Sequence, residues 1–455
     1  MGIAEFLSGL NDLVWGTPLM VLLVGTGLYL SIRMRLVQGR GFIHAIKILA
    51  GKFDKESDPG EVSHFSALAT ALSATIGTGN IVGVAAAILI GGPGARFWMW
   101  VTAAVGMATK FASCTLAVHF RRVDKYGEVH GGPMYFIERG MGARWRWLAV
   151  LFAVFAATAS FGIGNMFQAN NVASAINALI YGPDAASDNT VDIIVGIICS
   201  VSVAAVILGG IKRIAAFSSK LVPFMCVLYV GAGLLILIKN AAHIPHAFGV
   251  IFHQAFHAPD AVAGGLLGGV IRSGVARGLF SNEAGLGSAP MAHAAAKTKE
   301  PIREGLVALL EPFIDTLMIC TLTGLVIVTT GAYELGLDKG KLTSAAFDMG
   351  LPGAGRVVAL SVVFFAFSTL IAWSYYGDRA VDYLFGKKAV MPYRWLYVAF
   401  VFVGSVVKLD LVISFCDSMN GLMAVPNLIA LIALAPLLST LLEDYFKRMK
   451  EEGAL

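Results

Sequence analysis

"SATIGTGNIVG", residues Ser73 to Gly83, lies between "FSALATAL" and "AAAILI" in a stretch apolar enough to cross a membrane. The flanks alone would make one helix, yet the centre carries two glycines, two threonines, a serine and an asparagine. Backbone freed from helical bonding cannot face lipid. Such an interruption survives only where protein, an aqueous cavity or a ligand satisfies it.

Of the 455 residues, 57% are hydrophobic and only 14% charged, against roughly 25% charged in soluble domains. With a mean hydropathy of +0.75, this is an integral membrane protein. The 51 glycines suit close helix–helix approach. A net charge of +5 reflects topology, and no nucleic-acid partner is expected. Cys114, Cys199, Cys226, Cys320 and Cys416 fall in apolar stretches without metal-type spacing and read as small buried residues. The start, "MGIAEFLSGLND", lacks a basic n-region, so the first apolar run is expected to be retained.

An all-α fold with about eleven transmembrane helices is expected, near 12–32, 65–90, 97–120, 147–180, 191–209, 215–238, 262–296, 304–331, 356–376, 395–409 and 412–441. The intervening segments carry 25 Lys and Arg on one side and six on the other. The basic side should be cytoplasmic, which places the N-terminus outside and the C-terminus inside the cell membrane.

The seventh span is interrupted like the second. "RGLFSNEAGLGSAP" holds Phe280, Ser281, Asn282, Glu283, Gly285, Gly287 and Ser288, and its G-L-G-S parallels the G-T-G-N of Gly77, Thr78, Gly79 and Asn80. Paired broken helices at corresponding positions point to a transporter binding site. Spans 2 to 6 and 7 to 11 then form two groups of five, inverted because five is odd. The expected divisions are residues 1–60 (first helix and basic loop), 61–238 and 239–441 (the two repeats) and 442–455 (cytoplasmic tail).

The N–H groups opening the half-helix after Gly79 suit a carboxylate, and the carbonyls from Ser73 to Ile76 suit a cation. Ser368 and Thr369, side by side in "FFAFSTLIAW", offer hydroxyl ligands to a small cation. In "FGIGNMFQANN" the amides of Asn165, Gln168, Asn170 and Asn171 either bind a ligand or bond between helices. Glu311 and Asp315 share a helix face beside Pro312; they either face a water path or pair with Arg272 or Arg277. A channel would need a continuous polar stripe. An enzyme would need a nucleophile with its base or a metal cluster, and no such motif stands out; His243, His246, His253 and His257 read as loop residues.

"GGPGARFWMWVTAAVG", Gly91 to Gly106, together with "ALSATIGTGNIVG" and "GLFSNEAGLGSAP", resembles the signature blocks of the alanine or glycine:cation symporter family. Arg96 departs from the apolar residue of that signature and by the expected topology stands at a membrane edge. The resemblance implies a LeuT-like fold, a 5+5 inverted repeat preceded here by one extra N-terminal helix. It implies sodium-coupled symport of a small neutral amino acid, with L- or D-alanine or glycine, sodium ion and membrane lipid as partners. The implied sodium ligands are carbonyls of Ser73 and Ile76 and hydroxyls of Ser368 and Thr369. The implied substrate residues are Thr75, Gly77, Thr78, Gly79, Asn80, Phe280, Ser281 and Asn282, with Gln168 in place of a tyrosine and Trp373 as a wall.

Overall fold

A computed structural model describes residues 3–182, 187–257, 268–407 and 410–453. Among these, nine helices are long and apolar enough to cross a membrane, and a bent pair makes a tenth span. The helices are α1 (Glu5–Arg33), the pair α2 (His64–Thr75) and α3 (Gly79–Gly91), then α4 (Ala95–His119) and α5 (Ala143–Tyr181). Next come α6 (Asn189–Ile207), α7 (Gly210–Lys239), α8 (Gly269–Asn282) and α9 (Ala289–His293). The chain ends with α10 (Pro301–Thr329), α11 (Ala354–Phe385), α12 (Lys387–Val406) and α13 (Asp410–Glu451). The start of the expected seventh span, 258–267, lies outside the described residues; its described part is α8, a turn and α9.

Both interruptions exist, but for different physical reasons. The pair α2/α3 bends by 55° where Ile76 turns extended (ψ 93), and neither Gly77 nor Gly79 has a positive φ. These two glycines permit close approach. A Cβ on Gly77 would lie 3.2 Å from Thr369 Oγ1, and one on Gly79 3.3 Å from Ser281 Cα. The second break reverses the chain through left-handed backbone at Glu283 (φ 50), Gly285 (φ 94) and Gly287 (φ 92). A side chain at Gly287 would be strained by that φ and would meet Phe152 Cε2 at 2.7 Å.

Arg96, the second residue of α4, is fully buried within the protein, where it donates to Thr316 O at 2.5 Å and Thr321 Oγ1 at 2.7 Å. Two expectations are corrected. The ninth span runs nine residues beyond 376 because its charges find partners: Asp378 pairs with Arg394 at 2.5 Å and Asp382 accepts from His130 at 2.7 Å. His246, His253 and His257 lie on a helix, Ile244–His257, rather than in a loop.

His130 ends a two-stranded hairpin, β1 (Arg122–Val123) with β2 (Val129–His130), at the end of α4 remote from Arg96. Its Nδ1 bond to Asp382 holds the imidazolium above its ordinary pKa, against burial and Arg379; Asp124 adds to the rise at 3.7 Å from Nε2. A raised histidine pKa stabilises the fold fully below about pH 6.5, and the contribution is lost as pH rises through the folded value. His130→Gln should therefore lower the unfolding temperature at pH 6 and have little effect at pH 9. An equal effect at both pH values would show that the tie is not ionic.

Candidate functional site: the cavity between the two breaks

The two breaks meet around a cavity of about 20 Å³ lined by Thr75, Gly77, Thr78 and Gly79 from the first break and Phe280 and Glu283 from the second. Gln168, Thr369, Trp373 and Asn420 complete its polar and aromatic wall. A single water needs roughly 10–15 Å³ on this measure, so an amino acid enters only if the walls part. Phe280 also lines a cleft of about 470 Å³ that opens beside Asn11, Arg272, Arg277 and Asp417. Its ring, edge-on to Trp15 at 6.4 Å, stands between cleft and cavity.

Three buried polar atoms of the wall make no hydrogen bond within the protein: Gln168 Oε1, Asn420 Oδ1 and Trp373 Nε1. Buried polar groups are usually paired, so a lining that holds three unpaired ones suits a polar ligand. Gln168 is aimed by its own Nε2, which donates to Ile163 O at 3.1 Å across the π-helical turn Gly162–Met166. Gly164 leaves room for Trp373, since a Cβ there would lie 2.3 Å from Trp373 Cβ. Of the other amides, Asn165 donates between helices to Tyr397 O at 2.8 Å, and Asn171 donates to Phe167 O within its own helix. Asn420 was missed in the sequence, although "SMNGL" shows an amide and a glycine within an apolar span.

Beside the cavity, hydroxyls and carbonyls converge between α2 and α11. Thr369 Oγ1 lies 3.3 Å from both Ser73 O and Ala74 O and 3.0 Å from Phe365 O. Ser368 Oγ lies 3.0 Å from Ser73 O and 2.8 Å from Phe365 O, while Ser73 Oγ donates to Ser368 O at 2.9 Å. Closely packed neutral oxygens are the ligands a hard, monovalent cation accepts. Of the expected set, Ser73, Ser368 and Thr369 are thus brought together, Ile76 caps the helix beside them, and the carbonyls of Ala74 and Phe365 join.

Asn80, Ser281 and Asn282 are placed elsewhere. Asn80 Oδ1 accepts from Gly77 N at 2.8 Å and its Nδ2 donates to Asp315 Oδ1 at 2.6 Å. Ser281 Oγ donates to Asp315 Oδ2 at 2.9 Å, and Asn282 Nδ2 to Thr316 Oγ1 at 3.3 Å. None of the three lines the cavity. They bolt both breaks to α10, whose π-helical stretch Phe313–Cys320 follows Pro312. Glu311 pairs with Lys110 at 2.7 Å while Asp315 accepts from Asn80 and Ser281, so neither carboxylate pairs with Arg272 or Arg277.

Gly79→Ala should weaken ligand binding strongly, because its methyl would press on the Ser281 backbone at 3.3 Å and touch Phe280 at 3.6 Å in the cavity wall. Gly83→Ala meets nothing within 4 Å and should be mild. Equal binding by both variants in calorimetry would remove Gly79 from the site.

The family model described as "Sodium:alanine symporter family" matches residues 1–454. The chain is 47% identical over 441 residues to the sodium/alanine symporter AgcS of Methanococcus maripaludis, covering 96% of this chain and 95% of that one. It is 37% identical over 453 residues to the probable sodium/glutamine symporter GlnT of Bacillus subtilis, covering 98% and 92%. Its fold matches the crystal structure of MhsT in complex with L-phenylalanine, with a TM-score of 0.52 and 13% identity over 84% of this chain and 98% of that one. The LeuT-like architecture implied by the sequence is therefore present. The chain belongs to the sodium:alanine symporter family, multi-pass membrane transporters that couple amino-acid movement to sodium.

Proposed function

We propose that the protein imports a small neutral amino acid, alanine or glycine, together with sodium, by alternating access. The observation that carries this reading is that Thr369 belongs to both places: it lines the cavity and reaches the carbonyls of Ser73 and Ala74. An ion held there would order the end of α2 and with it the backbone of Gly77 to Gly79, against which a carboxylate docks. Gln168 Oε1, Asn420 Oδ1 and the Glu283 carboxylate offer acceptors to an ammonium. Phe280, Trp373 and Ile163 leave little room for a side chain. Access from the cleft requires Phe280 to move, and exit requires the opposite end, tied by His130–Asp382 and Arg394–Asp378, to open.

In this reading residues 61–238 and 239–441 are the inverted repeats, moving about the shared cavity. The cleft faces outward and the basic side, with the C-terminus, faces the cytoplasm. Uptake of labelled alanine into proteoliposomes should need an inward sodium gradient and be competed by glycine and D-alanine more than by glutamine. Stronger competition by glutamine would overturn the substrate assignment. Thr190→Cys should label from outside in cells and Lys388→Cys should not; the reverse pattern contradicts the orientation.

A further inference from the structure

Where α1 ends beside the last turns of α13, a pocket of about 470 Å³ opens that the transport reading does not use. Five cationic side chains line it: Arg33, Arg35 and Arg40 from the end of α1 and the turn after it, and Lys447 and Lys450 from α13. One carboxylate answers them. Glu443 pairs with Arg35 at 3.2 Å, and among the described residues the other four cations have no acidic partner.

The backbone here is built for the turn. Arg35 (φ 52) and Leu36 (φ 55) hold left-handed conformations in succession although neither is glycine, which persists only where the surroundings over-determine it. Leu36 N donates to Ser31 O at 2.7 Å, and beyond the turn Arg40 lies over the Phe446 ring at 5.4 Å. On α13, Glu443, Phe446, Lys447 and Lys450 recur at three- and four-residue spacing and so share the face turned to the pocket.

Neighbouring residues fix the depth. The helix Phe42–Leu49 exposes Ile43 and Ile46 beside Lys47, and its buried His44 bonds Tyr445 of α13 at 2.7 Å. An exposed apolar surface next to a cation on a short helix suits the boundary between headgroups and acyl chains. Toward the membrane interior, Leu28 and Ile32 are exposed on α1 within two turns of Arg33, and Ile432 is exposed two turns before Ser439, which lines the pocket. Cations therefore cap an apolar surface made by two helices.

We propose that this pocket binds the phosphate of an anionic phospholipid whose acyl chains lie along Leu28, Ile32 and Ile432. Guanidinium groups meet phosphate oxygens through paired hydrogen bonds, and the ammonium groups add point charge. A zwitterionic headgroup brings its own ammonium into a pocket already short of anions. A soluble phosphate leaves the apolar surface unused. The bound phosphate offsets repulsion among the cations and ties the end of α1 to α13.

The test uses the full chain purified in neutral detergent and stripped of lipid, followed by thermal unfolding and native mass spectrometry. Phosphatidylglycerol, phosphatidylcholine with the same chains, and water-soluble glycerol phosphate are added in turn. Phosphatidylglycerol should raise the unfolding temperature and stay bound, half-saturating at a concentration at least about tenfold below that of phosphatidylcholine. Glycerol phosphate should change little. Arg33→Gln combined with Lys447→Gln, both at exposed positions without an acidic partner, should weaken phosphatidylglycerol binding by about tenfold or more. Should that variant fail to elute as a folded species, Lys447→Gln alone should weaken binding by about fivefold. Lys220→Gln combined with Lys388→Gln removes the same charge elsewhere on the basic side and should change binding less than about twofold. Equal affinity for the two lipids, parent-like binding by the pocket variants, or an equal loss in the Lys220 and Lys388 variant would overturn the pocket. Stabilisation by glycerol phosphate equal to that by phosphatidylglycerol would overturn the lipid as its occupant.

Discussion

Asp315→Ala is expected to abolish sodium-driven uptake. Its carboxylate accepts from Asn80 of the first break and from Ser281 of the second, and from its neighbour Thr316 at 2.7 Å. Cys320 Sγ makes a weaker second tie, 3.3 Å from both Asn80 Nδ2 and Ser281 Oγ. Without the Asp315 carboxylate, Thr316 keeps a buried hydroxyl that has lost its acceptor, Ser281 retains only Cys320 Sγ at 3.3 Å, and Asn80 retains only the backbone of residue 315 at 3.2 Å and Cys320 Sγ at 3.3 Å. Each buried polar group left unsatisfied costs about 1–3 kcal/mol. The two half-helices would then separate, and a combined loss on the order of 3 kcal/mol corresponds to more than about a hundredfold in affinity. Asp315→Asn keeps one acceptor and should retain partial uptake. The measurement is initial-rate uptake at matched protein abundance in proteoliposomes. Parent-like uptake by Asp315→Ala would show that the breaks need no clamp.

Thr369→Ala should have the second-largest effect. The hydroxyl sits within 3.3 Å of three carbonyl oxygens from two helices, and its loss leaves an ion short of one ligand in a buried site. Hydrogen-bond-scale interactions with charge contribute about 1.5–3 kcal/mol, so the sodium concentration giving half-maximal uptake should rise by about 10- to 100-fold. Coupling between ligands is reciprocal, so alanine affinity at fixed sodium should fall as well. Thr369→Ser keeps the oxygen and should recover most of the activity. Unchanged sodium activation in Thr369→Ala would place the ion elsewhere.

The breaks were legible in the sequence because glycines and small polar residues clustered mid-span weaken a helix that meets only lipid. Thr75, Gly77, Thr78, Gly79, Gln168, Phe280 and Trp373 all reach the cavity wall. What each motif residue touches was less legible. Past a break, helical spacing no longer says which way a side chain points, so Asn80, Ser281 and Asn282 looked like ligand contacts although they hold α10. The G-T-G-N and G-L-G-S pairs looked alike because sequence does not distinguish a glycine needed for φ from one needed for proximity. Only the neighbouring Thr369 and Ser281 reveal the latter. Asn420 reaches the cavity from a helix far along the chain, and that neighbourhood exists only after packing.

Alanine binding to the purified protein, titrated calorimetrically in sodium chloride and in choline chloride of equal ionic strength, tests most directly whether the paired breaks hold amino acid and cation in one coupled site. Because Thr369 joins the cavity to the oxygens of α2 and α11, the affinity should be at least about tenfold higher in sodium, and Thr369→Ala should remove that difference. Equal alanine affinity in the two salts would contradict the shared site.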